Sequence, residues 1–130
     1  MWSAFWMLGN NFDQVGWPKS GEIDIMELHF KESDNKTNQF VMHWWDDSAE
    51  PPGWTYDYSA KSFETPLTDD FHVYEMEWDE NRVIGRIDGV NYFLKPIDPE
   101  TMSEFMNDFF LILNVAVGGN LGGAPDSTTV

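Results

Sequence analysis

The sequence predicts an all-β protein that folds as a β-sandwich. Short apolar and aromatic stretches recur along its 130 residues, several of them alternating with polar residues, and a period of two is typical of strands that bury one face. Turn-forming residues separate these stretches, which favours many short strands over long helices. A chain of this length is sufficient for one domain with a single core.

The first half of the chain contains three predicted strands. Residues 2–8 form a continuous apolar run, which favours a buried strand. Gly16 and Pro18 predict a loop over residues 10–20, and the charged residues of 31–36 predict a turn. The strands are predicted at 2–8, 21–30 and 37–45.

The second half begins with a proline-rich loop at 46–53 and continues through residues 54–70, which are predicted to be irregular with at most one short strand. The dipeptide Asp88-Gly89 predicts a tight hairpin between its flanking strands. Residues 99–107 predict one short helix. The strands of this half are predicted at 71–78, 82–88, 90–94 and 109–117.

The second predicted strand carries three carboxylates within six residues. Ile23 and Ile25 alternate with Glu22 and Asp24, so the apolar residues face a core and the acids share the other face. Carboxylates two residues apart repel each other and drive their pKa values apart. A strand that keeps such a cluster is more typical of a functional site than of an ordinary solvated surface, which is the alternative.

The spacing of the third acid predicts an irregularity in this strand. Strict alternation would place Met26 among the acids and turn Glu27 towards the core, where an unpaired carboxylate is costly. One extra residue near Ile25 and Met26, a β-bulge, returns Glu27 to the acidic face and keeps Met26 on the apolar side. The carboxyl groups of Glu22 and Glu27 are then expected to approach to about 5–6 Å, the separation used by retaining glycosidases.

The charge balance restricts the class of partner. Seven Lys and Arg residues against 23 Asp and Glu give a net charge of −16, which leaves no basic face for a nucleic acid or an anionic membrane. An uncharged partner such as a neutral polysaccharide fits this acidity, and simple solubility is the alternative explanation.

Aromatic residues are unusually abundant. Seven Trp, ten Phe and four Tyr make up 16% of the chain, more Trp than the packing of a small β-core requires. Exposed indole rings offer flat apolar faces on which pyranose rings can stack. The absence of cysteine from the sequence excludes disulfides and thiol chemistry.

Several segments together resemble family 16 of the glycoside hydrolases, and within it the laminarinase-type endo-β-1,3-glucanases. A single acidic run would be weak support, but five further matches occur in the family's order over nearly the whole chain. The matching segments are 2–8, Gly16-Trp17-Pro18, 21–27, 71–78, Asp88-Gly89 and 114–120.

The resemblance implies a fold and a mechanism. The fold is a jelly-roll sandwich of the concanavalin A type, with a concave glycan-binding cleft. The reaction is an anomer-retaining hydrolysis in which Glu22 is the nucleophile and Glu27 the general acid and base. Asp24, between them, is expected to hold the neighbouring carboxyls in the right protonation states. The bulged spacing resembles the branch that contains laminarinases and agarases.

Six more residues are candidates for binding the sugar chain. Trp2 and Trp6 share one strand face and line either the cleft or the core; the resemblance favours the cleft. Trp17 lies in a loop just before the acids, and a structural role is the alternative for His43. The resemblance places His72 beside the catalytic acids. The full set of candidates is Trp2, Trp6, Trp17, His43, His72 and Asn114.

No metal or other cofactor is expected. The three histidines, His29, His43 and His72, show neither HxH nor HExxH spacing, so a zinc site is not predicted. Members of the resembled family can carry a structural calcium, but its usual site residues are absent here.

The resemblance covers only the central and later part of the family domain. Residues 1–130 are therefore expected to be a partial catalytic domain, truncated at both ends, and its sandwich to be incomplete. The implied partner is a polysaccharide. The complete protein is expected to be a monomer located outside the cell or in the periplasm. The open alternatives are agarose or mixed-linkage glucan as substrate, and a glucan-binding or non-functional fragment without catalysis.

Overall fold

The computed structural model describes residues 1–127, about half of which lie in antiparallel strands. The described strands are β1 (Trp2–Gly9), β2 (Glu22–Leu28), β3 (Thr37–Asp46), β4 (Gly53–Ser62), β5 (Tyr74–Trp78), β6 (Arg82–Ile87), β7 (Val90–Pro96) and β8 (Phe109–Ala116). Short helices are α1 (Phe12–Val15), α2 (Phe30–Ser33) and α3 (Gly119–Gly122), with 3-10 turns at Leu67–Asp69 and Ser103–Met106. None of the helices in residues 1–127 is long and apolar enough to cross a membrane.

The strands form two sheets that pack face to face. The larger sheet has the order β4-β3-β2-β1-β8 and the smaller β5-β6-β7. Met7, Ile23 and Met42 lie side by side on β1, β2 and β3, and they share one buried cluster with Val83 and Phe93 of the small sheet. The predicted all-β sandwich is confirmed, and burial of this cluster is its main stabilising contribution.

The two sheets approach closely where β6 crosses β3. A Cβ atom at Gly85 would lie 2.3 Å from Cδ2 of Phe40, so only glycine fits there. The Phe40 ring in turn stacks on Phe93 with a centroid distance of 4.4 Å. This contact fixes β3, one of the strands of the site described below, against the small sheet.

The opposite side of the large sheet, the open face, faces away from the small sheet. It carries Trp6, Asp24, His43 and Tyr56. Trp6 lies opposite Asp24 on the neighbouring strand, and His43 lies opposite Tyr56. At the β8 end, the small sheet covers less of the large sheet. Leu113 lies on the side towards the small sheet, yet 76% of its surface is exposed.

Most predicted elements are confirmed, including the hairpin between β6 and β7. The strand predicted over 21–30 ends at Leu28, and that predicted over 71–78 begins only at Tyr74. The loop at 10–20 contains α1, the turn at 31–36 overlaps α2, and the helix at 99–107 is only a 3-10 turn.

The prediction for residues 54–70 is only partly right, because the one strand there, β4, is not short but spans ten residues from Gly53 to Ser62. Its aromatic residues point to the open face and are exposed, whereas small polar residues such as Thr55 and Ser59 are half-buried. The hydrophobic pattern is thus the reverse of the usual one, so a search for apolar residues facing a core does not recognise it.

Candidate active site

The central strand β2 contains the predicted bulge. On the β1 side, Phe5 lies opposite Met26 and Trp6 lies opposite Asp24, so Ile25 is an extra residue. On the β3 side, the register shifts between Asp24 and Glu27. Ile25 is buried in the core, and Met26 shares the side of Phe5, whose ring packs against that core. The bulge therefore keeps two consecutive apolar residues on the core side.

As a consequence, all three acids point into one pocket on the open face. The pocket has a volume of about 170 Å³. Gly21 sets the start of β2, because its φ of +74° is a left-handed conformation and a Cβ there would lie 2.8 Å from the ring of Phe109. The residues that line the pocket are Trp2, Ala4, Trp6, Glu22, Asp24, Glu27, Asn114 and Ala116.

Two indole groups hold polar side chains at the β1 side of the pocket. Trp2 donates from Nε1 to Oε1 of Glu27 at 3.1 Å, and Trp6 donates from Nε1 to Oδ1 of Asn114 at 2.7 Å. The structure thus brings Trp2, Trp6 and Asn114 to the acids, as the sequence predicts, and each indole serves both as an apolar wall and as a hydrogen-bond donor.

Asp24 is the most deeply buried of the three acids, with 3% of its surface exposed. Interaction between its carboxyl group and that of Glu22 raises the pKa of Glu22. Within residues 1–127 its Oδ2 atom accepts no hydrogen bond, and Nε2 of His43 lies 3.4 Å from it. Burial and mutual repulsion disfavour the ionisation of both carboxyls at once.

Burial controls the protonation of this cluster. It raises the pKa of Glu22 to about 7, with the negative charge of Asp24 adding to the effect. It also raises the pKa of Glu27 to about 7, and there the charge of Glu22 adds to it. The pKa of Asp24 is raised well above its ordinary range by burial and then by Glu27. A carboxyl group with a pKa near 7 can both donate and accept a proton at neutral pH.

His43 and Trp17 lie next to the acids on the β3 side. Nε2 of His43 lies 4.0 Å from Oε1 of Glu22, and Trp17, in the loop before β2, lies close enough to lower the pKa of Glu22. Burial lowers the pKa of His43, while the charges of Glu22 and Glu27 oppose that effect. Both residues are therefore next to the acids, as predicted.

An exposed row of aromatic rings continues from this side of the pocket and was not predicted. We call Trp17, Trp54, Tyr56 and Tyr58 the aromatic row. Successive ring centroids are 5.3, 5.4 and 6.1 Å apart, and each ring is close to half exposed. The alternation of Trp54, Tyr56 and Tyr58 with polar residues was the available signal.

A groove of about 550 Å³ lies beyond the end of the row. Tyr56 and Tyr58 form one wall of it, and His29 and Gln39, whose side chains share a hydrogen bond of 2.9 Å, contribute polar atoms. The open face thus offers flat apolar rings next to hydrogen-bonding groups, the combination that suits a sugar ring.

The prediction that His72 lies beside the acids is contradicted by the structure. His72 lies two residues before the start of β5, a strand of the small sheet, and is therefore remote from the open face of the large one. Its Nδ1 lies 2.8 Å from Oδ2 of Asp88, and its ring contacts Phe63 and Tyr74. His72 therefore stabilises the β6–β7 hairpin region instead.

The described residues contain one group of possible metal ligands. Ligand atoms of Glu22, Asp24 and His43 all lie within 4.8 Å of one another. However, Trp54 donates from Nε1 to Nδ1 of His43 at 3.2 Å, so the proton of the neutral imidazole is on Nε2, the atom that faces the acids. A protonated nitrogen has no free lone pair for a cation, and these residues do not fit a metal site.

Comparison with known proteins gives consistent matches. Residues 1–125 match the model of glycosyl hydrolases family 16. The glucan endo-1,3-beta-glucosidase of Cryptopygus antarcticus is 31% identical over 96% of this chain and 48% of that protein. The beta-1,3-glucan-binding protein of Penaeus monodon is 31% identical over 97% of this chain and 41% of that protein.

Solved structures agree with these relatives. The endo-beta-1,3-glucanase from Pyrococcus furiosus is 36% identical with a TM-score of 0.80, covering 99% of this chain and 49% of that one. The laminarinase catalytic domain from Thermotoga maritima is 38% identical with a TM-score of 0.74, covering 99% of this chain and 52% of that one. The present chain thus spans about half the length of these structures and less than half that of the curated relatives.

Proposed function

Because this chain belongs to glycosyl hydrolases family 16, we propose that it takes part in the retaining hydrolysis of internal β-glycosidic bonds in a neutral polysaccharide, β-1,3-glucan first. The observation that carries the proposal is the bulged strand β2, which brings Glu22, Asp24 and Glu27 into one pocket. Residues 1–130 are proposed to form part of a catalytic domain.

In the first step, the ionised carboxylate of Glu22 attacks the anomeric carbon of the sugar. The bond to the leaving oxygen breaks, and that oxygen takes the proton of Glu27. The product of this step is a covalent glycosyl ester on Glu22. It requires one ionised and one protonated glutamate, and coupling favours that state, because loss of the first proton raises the pKa of the remaining carboxyl.

In the second step, the carboxylate of Glu27 removes a proton from water, and the water oxygen attacks the same anomeric carbon. The ester bond to Glu22 breaks, so the product keeps the original anomeric configuration. Asp24 is proposed to retain a proton through both steps, because it is the most deeply buried of the three acids and burial raises its pKa.

The substrate chain is proposed to lie across the open face. Trp2, Trp6 and Asn114 support its sugars on the β1 side of the acids. Trp17 and His43 support them on the other side, and the remaining rings of the aromatic row extend that surface. His72 is not among these residues, because it lies beside β5 of the small sheet.

The proposal is tested by incubating the protein with laminarin, mixed-linkage β-glucan and agarose, and by following the products by proton NMR. We expect laminarin to be cleaved fastest, with the β-anomer appearing before mutarotation. A 2-fluoro glucosyl inhibitor should add one sugar mass to the wild-type protein and none to Glu22→Gln. Initial release of the α-anomer, or labelling of Glu22→Gln at the wild-type rate, would contradict the mechanism.

A second candidate is binding of β-glucan without hydrolysis. Its support is the similarity to a relative named beta-1,3-glucan-binding protein and the aromatic row, which can bind sugar without any chemistry. Affinity electrophoresis on laminarin together with a reducing-sugar assay separates the two candidates, because binding alone retards migration but releases no reducing ends.

Location and assembly follow from the proposed substrate. We propose that the protein acts outside the cell or in the periplasm, where a polysaccharide too large to cross a membrane is accessible. We also propose that it is a monomer, since a net charge of −16 makes copies of the chain repel each other. We further propose that it holds no resident metal. Size-exclusion chromatography tests whether the protein is a monomer, and treatment with a chelator tests whether it needs a metal.

A further inference from the structure

Trp54 contacts the acidic pocket only through another residue. Its indole Nε1 donates a hydrogen bond to Nδ1 of His43 at 3.2 Å, and its ring lies 5.8 Å from the His43 ring and 5.3 Å from Trp17. Half of the Trp54 side chain is exposed, so the residue does not contribute to the core.

The hydrogen bond fixes where the His43 proton lies. An indole N–H can only donate, so Nδ1 of His43 must accept and cannot carry a proton at the same time. The neutral ring then has its proton on Nε2. That atom faces Oδ2 of Asp24 at 3.4 Å and Oε1 of Glu22 at 4.0 Å.

The same hydrogen bond opposes the charged form of His43. In the imidazolium both ring nitrogens carry protons, and the Nδ1 proton would then face the indole proton of Trp54. The titratable groups that face His43 are Glu22, Asp24 and Glu27 from β2 and Tyr56 from β4. Three carboxyls beside an unrestrained histidine would favour its cation.

We propose that Trp54 is a positioning residue that keeps His43 in the neutral Nε2–H tautomer, so that the pocket receives a hydrogen-bond donor from His43 and not a positive charge. A cation at this place would lower the pKa values of Glu22 and Glu27. Trp54 thereby preserves the proton that Glu27 must donate. This last consequence rests on the proposed function, whereas the tautomer itself does not.

The tautomer is measured directly by long-range proton–nitrogen NMR of the histidine rings across a pH titration. The signals of His43 are assigned by their loss in His43→Gln. We expect His43 to carry its proton on Nε2 at neutral pH and to resist protonation. If the wild-type ring carries its proton on Nδ1, the proposal fails, whether or not the protein hydrolyses glucan.

The test variant is Trp54→Phe, which keeps an aromatic ring and removes only the indole N–H. We expect the titration midpoint of His43 to rise by about one pH unit or more, because the neighbouring carboxylates then favour its cation. The matched control is Tyr58→Phe, which removes a polar atom from the same row at a ring that contacts Tyr56 and not His43. An unchanged midpoint in Trp54→Phe, or an equal rise in Tyr58→Phe, would overturn the proposal.

The functional readout is the pH dependence of kcat on laminarin. In Trp54→Phe the alkaline limb, which reports the loss of the Glu27 proton, should move to lower pH. A role of Trp54 in sugar stacking alone would raise KM and leave that limb in place. The two roles are therefore separated by kcat and KM, and the NMR result decides the tautomer even if no hydrolysis is detected.

Discussion

His43 and His72 each lie next to carboxylates, and their surroundings differ in almost every respect. His43 points its Nε2 at the buried pair of Glu22 and Asp24, at 4.0 and 3.4 Å. His72 contacts Asp88 directly, at 2.8 Å, on a side of the molecule open to solvent. In the first cluster burial raises the carboxyl pKa values. In the second, the hydrogen bond from His72 and then that from the Val73 N–H lower the pKa of Asp88.

The difference shows that the residue types do not determine the chemistry of such a cluster. An exposed carboxylate next to a donor is simply a stable anion, whereas a buried group of three acids must keep protons. Of the two clusters, only the buried one has carboxyl groups that hold a proton near neutral pH, which is the property that a carboxylic general acid requires.

Replacing the proposed nucleophile should have the largest effect. Glu22→Gln removes the attacking carboxylate, and we expect kcat on laminarin to fall by at least about 10⁴-fold. The matched control is Asp88→Asn, which removes the carboxylate of the exposed cluster and should leave the rate within about two-fold. Comparable losses in both variants would remove the distinction between the clusters.

Glu27→Gln should be the next most damaging change. Loss of the general acid is expected to lower the rate on laminarin by about 10²–10⁴-fold. On an aryl glucoside with a readily ionised phenol, the first step should be much less affected, because that leaving group departs without a proton. An equal loss on both substrates would mean that Glu27 does not protonate the leaving oxygen.

The two clusters should also affect stability in opposite directions with pH. The folded pKa of Glu22 is about 7 against an ordinary value of 4.5, so the folded state favours the protonated carboxyl. The stabilisation that this proton gives to the folded state is fully present below pH 4.5 and is lost as the pH rises through 7. At pH 8, Glu22→Gln should therefore be more stable than the wild type, by on the order of 1–3 kcal/mol. Urea unfolding at pH 5 and pH 8 measures this.

Asp88 should show the reverse sign. Its folded pKa is lowered, so its stabilising contribution is present above its ordinary value and is lost as the pH falls through the folded pKa. Asp88→Asn should lower stability slightly at pH 8. A stabilising effect of Asp88→Asn at that pH would show that this pair does not favour the anion.

The far end of the aromatic row should contribute moderately to substrate binding. Tyr58→Ala removes one exposed ring, and we expect KM for laminarin to rise about five-fold with kcat nearly unchanged, because stacking of one ring is worth about 1 kcal/mol. Phe71→Ala is the matched control, since Phe71 is fully exposed and lies outside the row. A drop in kcat with unchanged KM would argue against a binding role.

The smallest effect is expected for His72→Gln. It removes the ring from the exposed cluster and should change kcat/KM for laminarin by less than about two-fold. His43→Gln, measured beside it, should lower kcat clearly because its Nε2–H faces the acids. If His72→Gln lost as much activity as His43→Gln, the conclusion that His72 lies away from the catalytic acids and does not take part in hydrolysis would be wrong.

The sequence predicted the acidic cluster well because its signal is local. Alternation of Glu22 and Asp24 with Ile23 and Ile25, and the spacing of Glu27, are read within six residues, and the cost of a buried unpaired carboxylate then requires the bulge. The length of strand β4 was underestimated for the opposite reason. Its aromatic residues are exposed, and the usual rule that apolar residues mark the buried face does not apply to them.

The amino-acid sequence by itself thus determined the sandwich class, the three acids and the irregular spacing that aligns them. Only the tertiary structure decided which histidine joins the acids. His43 and His72 both lie in or beside predicted strands of alternating character, but strand pairing places one on the large sheet, opposite Glu22, and the other on the small sheet. Pairing joins residues far apart in the chain, and neither their burial nor the hydrogen bond from Trp54 is encoded in the residues next to them.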